Sequence, residues 1–158
     1  MPGTDTIIAK LNEGYKNGAL AGANNAATLL ADPVVVNHIP PVPFDGPLSK
    51  DFMIKGWALE WGMITSGIKD YAFTPGLVKV DDNTVDVTLT STGTVDGEPI
   101  TLIGYMRLDI VNGEITTITG GFRDNGGELL QRLMTRPDMA EYMAGVGDLM
   151  KSLESSAG

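Results

Sequence analysis

His38 is the only histidine in a chain that contains no cysteine. An imidazole titrates near neutrality and gives or takes a proton at modest cost, so His38 is the first residue to weigh for proton transfer. The competing reading is a ring bonded to the proline-rich turn just after it. Its neighbour Asn37 points to the opposite face if the two share a regular strand, and only a bulge would bring both to one side. Tyr15, Tyr71 and Ser91 carry hydroxyls that could orient a substrate oxygen, although packing or plain exposure is the ordinary fate of such residues. Without cysteine there are no disulfides, thiolate nucleophiles or thiolate metal sites, and one histidine excludes a zinc site built on several imidazoles. Asp81-Asp82-Asn83 lacks the further oxygen ligands of a calcium loop and reads as a turn. No glycine motif for cradling phosphate is present, so neither metal nor cofactor is expected.

Twenty acids against eleven bases give a net charge of −9. That surface repels phosphate backbones and anionic lipid, and no basic cluster overrides it; nucleic acid is not an expected partner. No apolar run reaches the length of about 18–20 residues that a membrane span needs. The N-terminus has no basic start followed by an apolar core, so a cytoplasmic location is expected.

The elements that must position these residues follow from periodicity. Thr4–Lys16 predicts an amphipathic helix with Ile7, Ile8, Leu11 and Tyr15 on one face, capped by Thr4 or Asp5 and ended by Asn17-Gly18. Ala19–Ala31 predicts a second helix, broken by Asp32-Pro33. Val34–Ile39 is β-branched and predicts a short strand. Prolines 40, 41, 43 and 47 forbid a helix before Ser49, which is a good cap for a third helix from Lys50 to about Ser66. Its expected apolar stripe is Ile54, Trp57, Ala58, Trp61 and Ile64; such an aromatic stripe is ordinarily core.

Period-two alternation then predicts strands at Tyr71–Val80, Thr84–Thr94, Pro99–Val111 and Glu114–Phe122. Asn112-Gly113 is a strong hairpin turn. Val85, Val87, Leu89 and Ser91, with Ile100, Leu102, Gly104, Met106, Leu108 and Ile110, are assigned to the inner face. Ile103 and Tyr105 fall on the outer face and suggest cover by a second subunit. Arg107 and Asp109 read as a surface ion pair. Gly120-Gly121 and Asp124–Gly127 form a flexible exit to two more helices, Glu128–Thr135 and Pro137–Leu153. Their Met134, Met139, Met143 and Met150 supply soft apolar surface.

Two helices, a short strand, a third helix and a long meander are the element order of the cone-shaped nuclear transport factor 2-like superfamily. Asn37 to Gly46 resembles the strand-exit segment of its SnoaL-like polyketide cyclases, where a histidine and a proline-rich turn lead into the third helix. Leu102–Leu108 with Asn112–Ile115 is similar to the superfamily's final hairpin. The resemblance implies an α+β cone over residues 1–125, with an antiparallel sheet wrapped by the N-terminal helices. Residues 126–158 extend it as helices packed on the same domain.

It also implies a site. The histidine end of the short strand is where relatives keep their polar groups, which makes His38 and Asn37 the catalytic candidates. Asn37 matches a water-holding asparagine of limonene epoxide hydrolases. The Arg-x-Asp pair and later aspartate of those hydrolases are replaced here by Leu89, Ser91 and Gly120, and the acid of the ketosteroid isomerase oxyanion hole falls near Gly104. With Tyr15, Trp57, Trp61, Tyr71 and Met106, these positions are the expected substrate-binding lining. The implied activity is cofactor-free isomerisation, cyclisation or dehydration of a hydrophobic polyketide, steroid, terpenoid or aromatic metabolite. Alternatives are a non-catalytic binding or accessory protein and a water-using hydrolase. A homodimer is expected.

Overall fold

The computed structural model describes residues 3–157, with side chains as far as 154; the outermost positions of the expected ranges 1–125 and 126–158 lie outside it. The first helix, α1 (Thr4–Tyr15), buries Ile7, Leu11 and Tyr15 at four-residue intervals. Its N-cap is Gly3, because the Thr4 hydroxyl turns inward and donates to the carbonyl of Asp82. Helix α2 (Ala19–Thr28) buries a face of Gly22, Ala23, Ala26 and Ala27. A Cβ on Gly22 would stand 1.9 Å from Tyr15 Cδ1, so a glycine there is what leaves room for the tyrosine ring.

Helix α2 ends three residues earlier than expected. Leu30, fully buried, already belongs to strand β1 (Leu30–His38). The strand runs through Asp32-Pro33, and its register on the neighbouring strand slips between Leu30 and Val35, around a proline that has no N–H to donate. A strand that the sequence did not announce, β2 (Gly46–Leu48), pairs antiparallel with Val34–Val36. It forms one edge of the sheet, where Pro47 leaves no ladder bond unmade.

Helix α3 (Lys50–Gly67) is capped as expected, the Ser49 hydroxyl accepting from the Phe52 amide at 3.1 Å. The buried surface keeps Trp61 and Ile64 of the expected stripe but is rotated from it. Ile54 is exposed, while Phe52, Met53, Trp61, Met63 and Ile64 are buried. The helix packs against α2 on one side and against the C-terminal helices on the other, which widens and rotates the face it conceals.

Strands β3 (Lys69–Asp81), β4 (Thr84–Val95), β5 (Glu98–Val111) and β6 (Glu114–Phe122) form the meander. The sheet order is β2-β1-β6-β5-β4-β3, antiparallel except where β1 joins β6 in parallel. Asp96-Gly97 and Asn112-Gly113 take positive φ at both turn positions, the geometry that matches strand twist. Val85, Val87, Leu89 and Ser91 face the core, as do Leu102, Leu108 and Ile110. Outside, Arg107 does not pair with Asp109; it forks onto Asp86, its partner across the ladder, at 2.7 and 2.9 Å.

The glycines near residue 120 are not a flexible exit. Gly120 lies in β6 opposite Met106 of β5 and His38 of β1. A Cβ there would meet the Tyr105 carbonyl at 2.0 Å, and one on Gly121 the Ile39 carbonyl at 2.4 Å. Gly126 and Gly127 open helix α4 (Gly126–Met134) rather than hinge it. A 3-10 turn (Pro137–Met139), with Pro137 at its first position, leads to α5 (Ala140–Ala157). Leu129, Leu133, Met139 and Leu149 from these segments join the core, and α4 and α5 rest on α3.

Candidate active site

Strand alternation turns Val34, Val36 and His38 toward the helices and leaves Val35 and Asn37 outside. His38 is therefore the first polar inward residue where β1 leaves the sheet. The prolines that follow bring the chain back so that Asp45 faces the ring. His38 Nδ1 lies 2.6 Å from Asp45 Oδ1, while Asp45 Oδ2 accepts from the amides of His38 at 3.0 Å and Val42 at 3.2 Å. Desolvation pushes the Asp45 carboxyl up, but the hydrogen bonds from the His38 ring and the two amides, with the charge of His38, outweigh it. The carboxyl is held below the ordinary carboxylate value. An ionised Asp45 requires the proton on Nδ1, which leaves the Nε2 lone pair free to accept one. Phe44 packs edge-on to the imidazole at 5.5 Å and fixes its second side.

His38 opens on a cavity of about 360 Å³ between the sheet and α3, at the small end of the roughly 300–1,000 Å³ of small-molecule sites. Of the expected lining, Tyr15, Trp57, Trp61, Leu89, Gly104, Met106 and Gly120 all border it, and Asn37 borders it while remaining exposed. Tyr71 and Ser91 do not. Their hydroxyls bond to each other at 2.8 Å, which satisfies a serine that is wholly buried. The C-terminal helices close the cavity with Leu130 and Met134 of α4 and Met143, Leu149 and Met150 of α5.

Two further groups shape its chemistry. The Tyr15 ring stacks at a tilt on Phe73, 5.8 Å away, and its hydroxyl has no partner among the described residues. Burial pushes the phenol well above its ordinary range, so it remains a neutral hydrogen-bond donor. Glu60 sits one helical turn after Trp57 on α3, half-buried among the largely apolar residues that line the cavity. Burial pushes that carboxyl up, an effect partly offset by the charge of His38. It makes no hydrogen bond or ion pair with any described residue.

Asp45 and Glu60 were not singled out from the sequence. Asp45 stands seven residues after His38 inside a turn whose path no periodicity describes. Glu60 left a clearer trace: it is the only charged residue between Lys55 and Lys69. Among the described residues, no three His, Asp or Glu side chains converge as a metal site.

No protein-family model matches the chain, and no curated protein matches it. Solved structures do. An NTF2-like protein from Burkholderia thailandensis matches with a TM-score of 0.57 at 16% identity, over 86% of this chain and 100% of the other. An NTF2-like protein of unknown function from Burkholderia pseudomallei matches with a TM-score of 0.52 at 20% identity, over 84% and 97%. A protein from Acidithiobacillus ferrooxidans proposed to be a polyketide cyclase matches with a TM-score of 0.50 at 18% identity, over 80% and 93%. Identities this low speak for architecture alone. No described helix is long and apolar enough to cross a membrane. The α+β cone with its C-terminal helices is the nuclear transport factor 2-like fold.

Proposed function

We propose that the protein is a cofactor-free acid–base enzyme acting on a hydrophobic small molecule, with His38 as the proton-transfer residue. The observation that carries this is the 2.6 Å contact between His38 Nδ1 and Asp45 at the mouth of an apolar cavity. Asp45 holds the tautomer that exposes a basic Nε2 and stabilises the imidazolium formed when Nε2 takes a proton. The proton comes from a carbon next to a carbonyl; the C–H electrons move to the carbonyl oxygen, which Tyr15 serves as donor. The imidazolium then returns its proton at another carbon, giving isomerisation, or to a leaving hydroxyl, giving dehydration. Attack of the enolate carbon on a second carbonyl forms the ring bond and turns that oxygen into an alkoxide, which takes the imidazolium proton, giving cyclisation. A polyketide-like or other flat apolar substrate suits the lining, in keeping with the proposed activity of the A. ferrooxidans neighbour.

A second reading is a binding protein without catalysis, favoured by the 36% of the His38 side chain that remains open to solvent. Deuterium exchange at the activated CH2 of 2-tetralone, followed by proton NMR, decides between them. His38→Gln keeps size and one hydrogen bond but cannot titrate, and should slow exchange by about 100-fold or more. Exchange no faster than in buffer, or unaffected by His38→Gln, would establish the binder instead.

A further inference from the structure

Given a ligand cavity as read above, we propose that it selects an apolar ligand carrying a protonated basic nitrogen, with Glu60 as the counter-ion. Every other charge at the site has its partner. Asp45 answers His38, and the lining contains no Lys or Arg among the described residues. Glu60 alone lines the cavity as a half-buried carboxyl with no hydrogen bond or ion pair to a described residue. An acid kept in such a place works against folding, because a carboxylate loses part of its hydration there and the charge of His38 offsets that loss only in part. A residue serving only to fill the helix face would be apolar, as Met53, Trp57 and Ile64 on the same face of α3 are.

The surroundings fit an organic cation. Trp57 and Trp61 flank Glu60 in sequence and border the cavity with it, as do Phe44, Phe52 and Phe122. Aromatic faces attract an ammonium through their quadrupole, and tryptophan does so most strongly. An ammonium between these rings and the Glu60 carboxylate exchanges its water for cation–π and charge-assisted contacts together. A net charge of −9 on the chain adds a long-range preference for cations and against carboxylate or phosphate ligands. The nitrogen is bound by Glu60, while the reactive carbon is left to His38.

Matched probes isolate the charge. 2-Naphthylmethylamine and 2-naphthylmethanol share one ring system, and only the first is cationic at pH 7. Calorimetric titration of the full chain should give the amine at least 10-fold tighter binding than the alcohol. In Glu60→Gln, and in the apolar Glu60→Leu, the amine should weaken by 10-fold or more while the alcohol changes less than threefold. His38→Gln should keep the amine preference, so a failed exchange assay and a failed preference are separate results. An alcohol that binds as tightly as the amine, a preference that survives both Glu60 variants, or no binding of either probe at millimolar concentration overturns the proposal. The first of these outcomes would leave Glu60 as a neutral acid available to donate a proton.

Discussion

Gly120→Ala puts a single methyl group where β1, β5 and β6 converge. The new Cβ would lie 2.0 Å from the Tyr105 carbonyl oxygen, 2.9 Å from its carbon and 2.8 Å from Met106 Cα. Contacts of this kind essentially never fall below 3.0 Å, so backbone must move by about an ångström; no side chain can rotate out of the way. The displaced strand is the one bonded to the end of β1, where the Ile39 amide donates to the Gly120 carbonyl at 2.9 Å. Overpacking in a close-packed interior typically costs about 1–3 kcal/mol, and a rigid backbone obstacle places this case near 3. For a chain of this size each kcal/mol lowers Tm by roughly 2–4 °C, so a fall of about 6–12 °C is expected in a thermal melt followed by circular dichroism. The imidazole resonances of His38, next to the distortion, should shift as well. Gly127→Ala is the control: nothing lies within 4 Å of its Cβ, and alanine should stabilise the helix by up to about 1 kcal/mol. A Gly120→Ala protein that melts within 2 °C of the parent would refute the claim that glycine is required by packing at that crossing.

Glu60 has a raised pKa in the fold, so the unfolded chain ionises first and stability is lost as pH rises from about 4.3 through the folded value. Glu60→Gln should therefore melt above the parent at pH 8, with the two converging below about pH 4; a constant gap would contradict the assignment. Ile103 and Tyr105 remain half-buried on the outer sheet face, with Arg123 over the tyrosine ring at 4.8 Å. A homodimer through that face is expected, and light scattering giving monomer mass at micromolar concentration would count against it. Cutting the chain after Asn125 removes the buried Leu129, Leu133, Met139 and Leu149 along with the cavity wall. The truncated chain should lose cooperative melting, whereas a well-folded product with weakened ligand binding would mark those helices as a lid.

The sequence made the meander plain because alternation and type I′ turns are local. Each strand from Thr84 to Phe122 announces its inner face by residue type, and Asn112-Gly113 fixes its register. The place of His38 at the inward end of β1 and the cap at Ser49 were legible for the same reason. What depended on distant neighbours was not. Ile54 fits the helical period of α3, but α2 and α5 together choose a different face to bury. Leu30 looks like the end of a helix until the core claims it for β1. Tyr71 and Ser91, plausible as ligand hydroxyls, face each other across β3 and β4 and satisfy one another. Asp45 acquires a role only through the path of the proline turn. Glu60 was visible in the sequence only as a single charge in an apolar helical run.

The parallel seam between β1 and β6 has a kinetic consequence. His38 pairs with Gly120, roughly eighty residues away along the chain, while β3 to β6 are joined by tight turns. Closing so long a loop is entropically expensive and is compensated only once the whole seam forms. The meander should consequently assemble early and β1 dock late. Substitutions at Val85 or Leu108 should slow refolding, whereas those at Val34 or Val36 should chiefly accelerate unfolding. His38 and Asp45 then meet only in the final step. A chain emerging from synthesis would have its sheet before it has its imidazole in place, and binding at the cavity would report completion of folding rather than its onset.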